Sequence, residues 1–79
     1  ALASRAAHQQ RVRRGERAAA AAADALRAGA PATAVQALRD AAALEPDRAE
    51  YRLALAKALV ANGQPSEAEP YVHDALRSQ

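Results

Sequence analysis

The tightest constraint in this chain is a corner that occurs twice. Ala28-Gly29-Ala30-Pro31 returns 34 positions later as Asn62-Gly63-Gln64-Pro65, placing Gly63 and Pro65 in register with Gly29 and Pro31. The same offset carries Ala22 onto Ala56, Leu26 onto Val60, Ala34 onto Ala68, Leu38 onto Val72 and Ala41 onto Ala75. A fixed period of this length marks a repeat architecture, in which one supersecondary unit buries its apolar face only against its neighbour. The chemistry of the corner fits a helix boundary. Glycine enters the left-handed conformation at a helix C-terminus without steric cost. Proline suits the first helical position, where its missing N–H has no intrahelical partner.

Between the corners the sequence reads as four helices and no strand. The first repeat helix is expected over Glu16–Ala28, with Ala18, Ala21, Ala22 and Ala25 on one face at i, i+3, i+4, i+7 spacing. The second runs from Pro31 to Leu44, with Ala34, Leu38, Ala41 and Ala42 inward. Glu45-Pro46-Asp47 ends it, and Asp47 is the expected N-cap of a third helix from Arg48 to Asn62, whose stripe is Leu55, Ala56 and Leu59. A fourth extends from Pro65 or Ser66 to Arg77. There Ser66 with Glu69 makes a capping box, and Pro70 favours Ser66 over Gln64 as N-cap, because a proline deeper in the helix clashes with the carbonyl four residues back. Short links force antiparallel neighbours, hence two stacked hairpins.

Residues 1–14 fall outside the period. They read as a basic N-terminal helical extension or linker leading into the repeats at 15–79, divided at about 48/49. Gly15 is the weak point, a start, kink or fray, since glycine within an exposed helix costs about 1 kcal/mol against alanine. Charge follows the same division. Residues 1–17 hold Arg5, Arg11, Arg13, Arg14 and Arg17 against Glu16, a balance of +4; residues 18–79 hold six basic and eight acidic side chains, a balance of −2.

From Gly15 onward the chain resembles the tetratricopeptide repeat family. Ala22, Ala34 and Ala41 fall on the first repeat's small-residue positions, Gly29 on its turn and Pro46 on its closing proline. Ala56, Ala68, Ala75 and Gly63 do the same in the second, and Leu38 and Val72 fill the position that usually prefers an aromatic. The chain departs from the pattern where Ala18 and Arg52 replace an early bulky residue, with Tyr51 one place off, and where the second repeat stops before its closing proline. The resemblance implies an all-α superhelix of two antiparallel helix-turn-helix repeats with an extended N-terminal helix. It further implies a non-catalytic scaffold that binds a partner protein or peptide segment against the first helix of each repeat. The matching positions here include Ala23, Leu26 and Arg27, then Glu50, Leu53, Lys57 and Val60. Ala19 and Ala23 stand where a carboxylate clamp would need Lys and Asn, so a co-chaperone role of that kind is not expected. An apolar or helical segment suits this surface better; packing of Leu53 and Val60 against a neighbouring helix is the competing reading.

Composition bears on what else the chain can do. Alanine fills 26 positions, while the larger aliphatics are eight Leu and four Val. Such a core is thin, which points to a segment of a longer chain or to homo-oligomerisation, the alternative role. The Ala/Arg bias suggests a bacterial, GC-rich source and leaves cytoplasm and periplasm open. Without cysteine there is no thiolate ligand or thiol nucleophile. Glu69 and His73 share a helix face four apart, too few ligands for a tight metal site. The glycines are too scattered for a phosphate loop, and no motif assembles a catalytic set, so neither enzyme activity nor a cofactor is expected. The Arg-rich start is the one place for contact with anions or nucleic acid, yet no aromatics are interleaved for base stacking and the arginines do not share a face. Tyr51 and Tyr71 are candidate interface anchors.

Overall fold

The computed structural model describes residues 2–77 and contains four α-helices: α1 (Leu2–Arg27), α2 (Pro31–Leu44), α3 (Ala49–Ala61) and α4 (Pro65–Arg77). Among the described residues there is no strand. Each helix packs against the next in order, α1 on α2, α2 on α3 and α3 on α4. This is the expected all-α arrangement of two antiparallel hairpins led by an extended N-terminal helix. At about 1.5 Å per residue, the 26 residues of α1 account for most of the 43 Å long dimension.

The two corners are physically the same device. Gly29 and Gly63 have φ of +77° and +75°. Ala30 N–H donates to the Ala25 carbonyl at 2.8 Å and Gly29 N–H to Leu26 at 3.1 Å. In the second hairpin Gln64 N–H donates to Leu59 at 2.8 Å and Gly63 N–H to Val60 at 3.0 Å. Both are Schellman closures, in which a left-handed residue lets two orphan carbonyls of the last turn find donors. Pro31 and Pro65 then open α2 and α4.

Small side chains let the helices of a hairpin approach. Ala22, Ala34, Ala41, Ala56, Ala68 and Ala75, the six repeat-related alanines, are all buried. Leu38, Leu55 and Leu59 are the largest fully buried side chains and form the apolar centre with Val35 and Ala58. On α1 the inward face differs from the expected one. Ala18, Ala19 and Ala25 flank the buried Ala22, whereas Ala21 is exposed.

Three local expectations are corrected. First, Gly15 is neither a start nor a kink: α1 runs through it unbroken, and Gly15 is buried. A Cβ placed there would stand 3.3 Å from Tyr51 Cε2 and Oη, so the glycine makes room for the ring. Tyr51 is itself buried, with the Arg48 guanidinium 5.4 Å from its ring centroid. Second, Asp47 does not cap α3. Pro46 and Asp47 are the central residues of a turn closed by Arg48 N–H donating to the Glu45 carbonyl at 3.1 Å, so helix entry is delayed by one residue and Arg48 flanks it. Third, Ser66 does not cap α4: the helix begins at Pro65, the earlier of its two expected starts, which puts Ser66 inside the first turn and Pro70 inside the helix. Gln64 occupies the entry instead: it accepts from Asn62 Nδ2 and donates to the Glu67 carboxylate, both at 2.7 Å. That carboxylate also lies where the positive end of the helix dipole favours it.

Candidate protein-binding surface

The seven candidate residues all reach solvent, but only three of them converge. Ala23, Leu26 and Arg27 lie on the last turns of α1, and Glu50 on the first turn of α3. Arg27 is paired with Asp24 three residues earlier. Leu53, Lys57 and Val60 share one face of α3 and, with Ala56 and Val72, line an open groove of about 260 Å³ between α3 and α4. Its walls are almost wholly apolar. Leu53 is 41% exposed and Val60 56%, so neither is buried against a neighbouring helix of this chain. Lys57 stands at the groove edge, and none of the described ion pairs involves it.

Sequence reasoning did not single out Val72 as a groove residue; in the structure its counterpart Leu38 is a core residue only 2% exposed. The difference has a positional cause. Leu38 belongs to the core cluster that includes Leu55, Ala58 and Leu59 of α3, the helix that follows α2. Among the described residues nothing follows α4, and Val72 is 37% exposed. Leu76, one turn on, is 62% exposed. Leu53, Val60, Val72 and Leu76 are thus large aliphatics that α3 and α4 leave exposed.

The opposite end is polar. Subtracting the repeat offset from Tyr51, Leu55 and Ala58, which α3 buries, gives Arg17, Ala21 and Asp24 on α1, all exposed. The outward positions of α1 are thus polar or small where those of α4 are large and apolar. Arg5, Arg11, Arg13 and Arg14 are also exposed, and residues 4–11 of α1 are exposed throughout.

The two tyrosines sit in different surroundings. Tyr51 fills the space above Gly15, while the half-buried Tyr71 has Arg39 Nη1 at 3.5 Å from its hydroxyl. The described residues contain no group of three or more metal-ligating side chains. Among the described residues, no helix is long and apolar enough to cross a membrane.

Comparison with known proteins agrees with this geometry. The sequence pattern described as tetratricopeptide repeat matches residues 25–79. Among curated proteins and solved structures, none matches the chain.

Proposed function

This chain belongs to the tetratricopeptide repeat family, and from that premise we propose that it is a non-catalytic scaffold whose α3–α4 groove holds a segment of a partner protein. Repeats of this family generally mediate protein–protein interaction. The observation that carries the reading is the cluster of Leu53, Val60 and Val72 around one open groove, large aliphatics left in water where the rest of the molecule shows mainly alanine and charge. Exposed apolar surface costs free energy that a docked apolar side chain recovers, at roughly 25 cal/mol per Å² removed from water. Leu26, on the first hairpin, extends the same kind of surface, and Lys57 and Arg27 add cations at its margin. Specificity then comes from groove shape and edge charge.

The test is a phage-displayed library of random peptides selected against the 79-residue chain. Enriched peptides are expected to lose binding to Leu53→Asp and Val60→Asp but to retain it with Ala43→Asp, an exposed position on α2. Selection of no peptide, or of peptides indifferent to all three changes, overturns the proposal.

A further inference from the structure

The first half of α1 carries the densest charge in the molecule, and helical geometry sorts that charge into rows. Arg5, Arg11, Arg13, Arg14 and Arg17 stand against a single acid, Glu16, while the rest of the chain is net negative. Residues 4–11 are exposed throughout, and Arg13, Arg14 and Arg17 are exposed as well. None of the described ion pairs involves any of these arginines. This part of α1 is a cationic rod that stands clear of the packed hairpins.

At about 100° per residue, Arg13 and Arg17 form one row, about 40° apart around the helix axis. Arg14 lies about 60° further round and starts a second row with Arg11, about 60° beyond it. Gln10 lies between the rows, one turn after the small Ala6 and Ala7. Glu16 and Val12 fall on the far side. Like charges at i, i+3 (Arg11 with Arg14, Arg14 with Arg17) and at i, i+4 (Arg13 with Arg17) destabilise a helix. A polyanion relieves that repulsion.

The arrangement discriminates among polyanions. A bilayer surface is flat and takes an amphipathic helix through large apolar side chains on the buried side. Here the strip between the cations holds Ala6, Ala7 and Gln10, and the half-buried Val12 points the opposite way. Single strands are held by aromatic stacking platforms, and residues 1–17 contain no aromatic. The major groove of A-form RNA is too deep and narrow to be read. The major groove of B-DNA admits one α-helix and has phosphates along both edges. It calls for cations on two flanks with small or neutral side chains between them, so arginines that share no single face still suit one ligand. We propose that residues 4–17 of α1 are a binding surface for duplex DNA. The helix lies in the major groove, with Arg13 and Arg17 against the phosphates of one edge and Arg11 and Arg14 against those of the other. Gln10 is the one side chain on the intervening strip that can hydrogen-bond a base edge, so binding is largely independent of sequence.

The experiment uses the 79-residue chain and a fluorescein-labelled DNA duplex of two helical turns, titrated by anisotropy over a series of salt concentrations. Neutralising four phosphates predicts a slope of log K against log salt of about −3.6. Arg13→Gln should reduce the steepness by about 0.9. Arg5→Gln, an equal loss of charge outside the rows, should leave the slope unchanged. Leu53→Asp should not affect duplex binding, which separates this surface from the α3–α4 groove. The inference is overturned if the duplex does not bind, if Arg5→Gln and Arg13→Gln change the slope equally, or if duplex RNA binds as tightly as DNA. Binding to phosphatidylglycerol vesicles with none to DNA would make the surface a membrane contact and also overturn it.

Discussion

Three glycines in this chain do two different jobs, and substitution separates them. Gly29 sits at φ +77° with nothing within 4 Å of a built Cβ, so alanine there meets backbone strain alone. Gly29→Ala is expected to cost about 1–2 kcal/mol, the left-handed penalty for an L-residue, read as a lowered thermal midpoint. Gly15 has helical backbone and a crowded Cβ position. Gly15→Val should therefore cost about 1–3 kcal/mol by overpacking, and the cost should vanish in a Tyr51→Ala background, which removes the obstructing ring. Gly29 and Gly63 were legible in the sequence because their cause is local: a corner, a proline two residues on, and a copy at a fixed offset. Gly15 was not, because its reason is Tyr51, which is distant in the chain and close only in the fold. Helix propensity read locally saw a weak point where the tertiary structure needed a gap.

Among the helices, α4 is the one that breaks a local rule. Pro70 lies within it, so the Ser66 carbonyl loses its helical donor and the proline ring crowds that carbonyl. Pro70→Ala is expected to raise stability, by up to about 3 kcal/mol, measured by urea unfolding with an unchanged slope. A loss of stability would mean that the proline is needed to shape the first turn. The helix boundaries show how far periodicity reaches. α2 follows the expected Pro31–Leu44 span because proline and the Glu45-Pro46 step fix both ends. The start of α3 differs from expectation by a residue because the capping preference of Asp47 was weighed above turn closure at Pro46; α4 begins at Pro65, one of its two expected starts, but without Ser66 as its cap. The apolar face of α1 was the least legible, since in a run of alanines every face looks alike and only the position of α2 and α3 selects Ala22.

Across the whole molecule, the stack is asymmetric from end to end. Its first helix offers Arg17 and Asp24 outward and its last offers Val72 and Leu76, although the two hairpins follow one pattern. The repeat was legible, and with it the buried alanines and the buried Leu38. Of the expected surface residues, Leu53, Lys57 and Val60 on α3 line one groove, whereas Val72 was read only as the counterpart of Leu38. A position is buried or exposed according to what stacks on it, and sequence identity at a repeat offset carries no information about where stacking stops.

That asymmetry makes the pair Leu38→Asp and Val72→Asp the most direct test. The two changes put the same charge at repeat-equivalent positions. Thermal unfolding followed by circular dichroism should show Leu38→Asp without a cooperative transition, because a charge cannot be buried unpaired beneath α3. Val72→Asp should melt within a few degrees of the parent, about the shift that half of 1 kcal/mol gives a domain of this size. Equal losses, or a Leu38→Asp protein that melts like the parent, would contradict two hairpins stacked in register with one end left open.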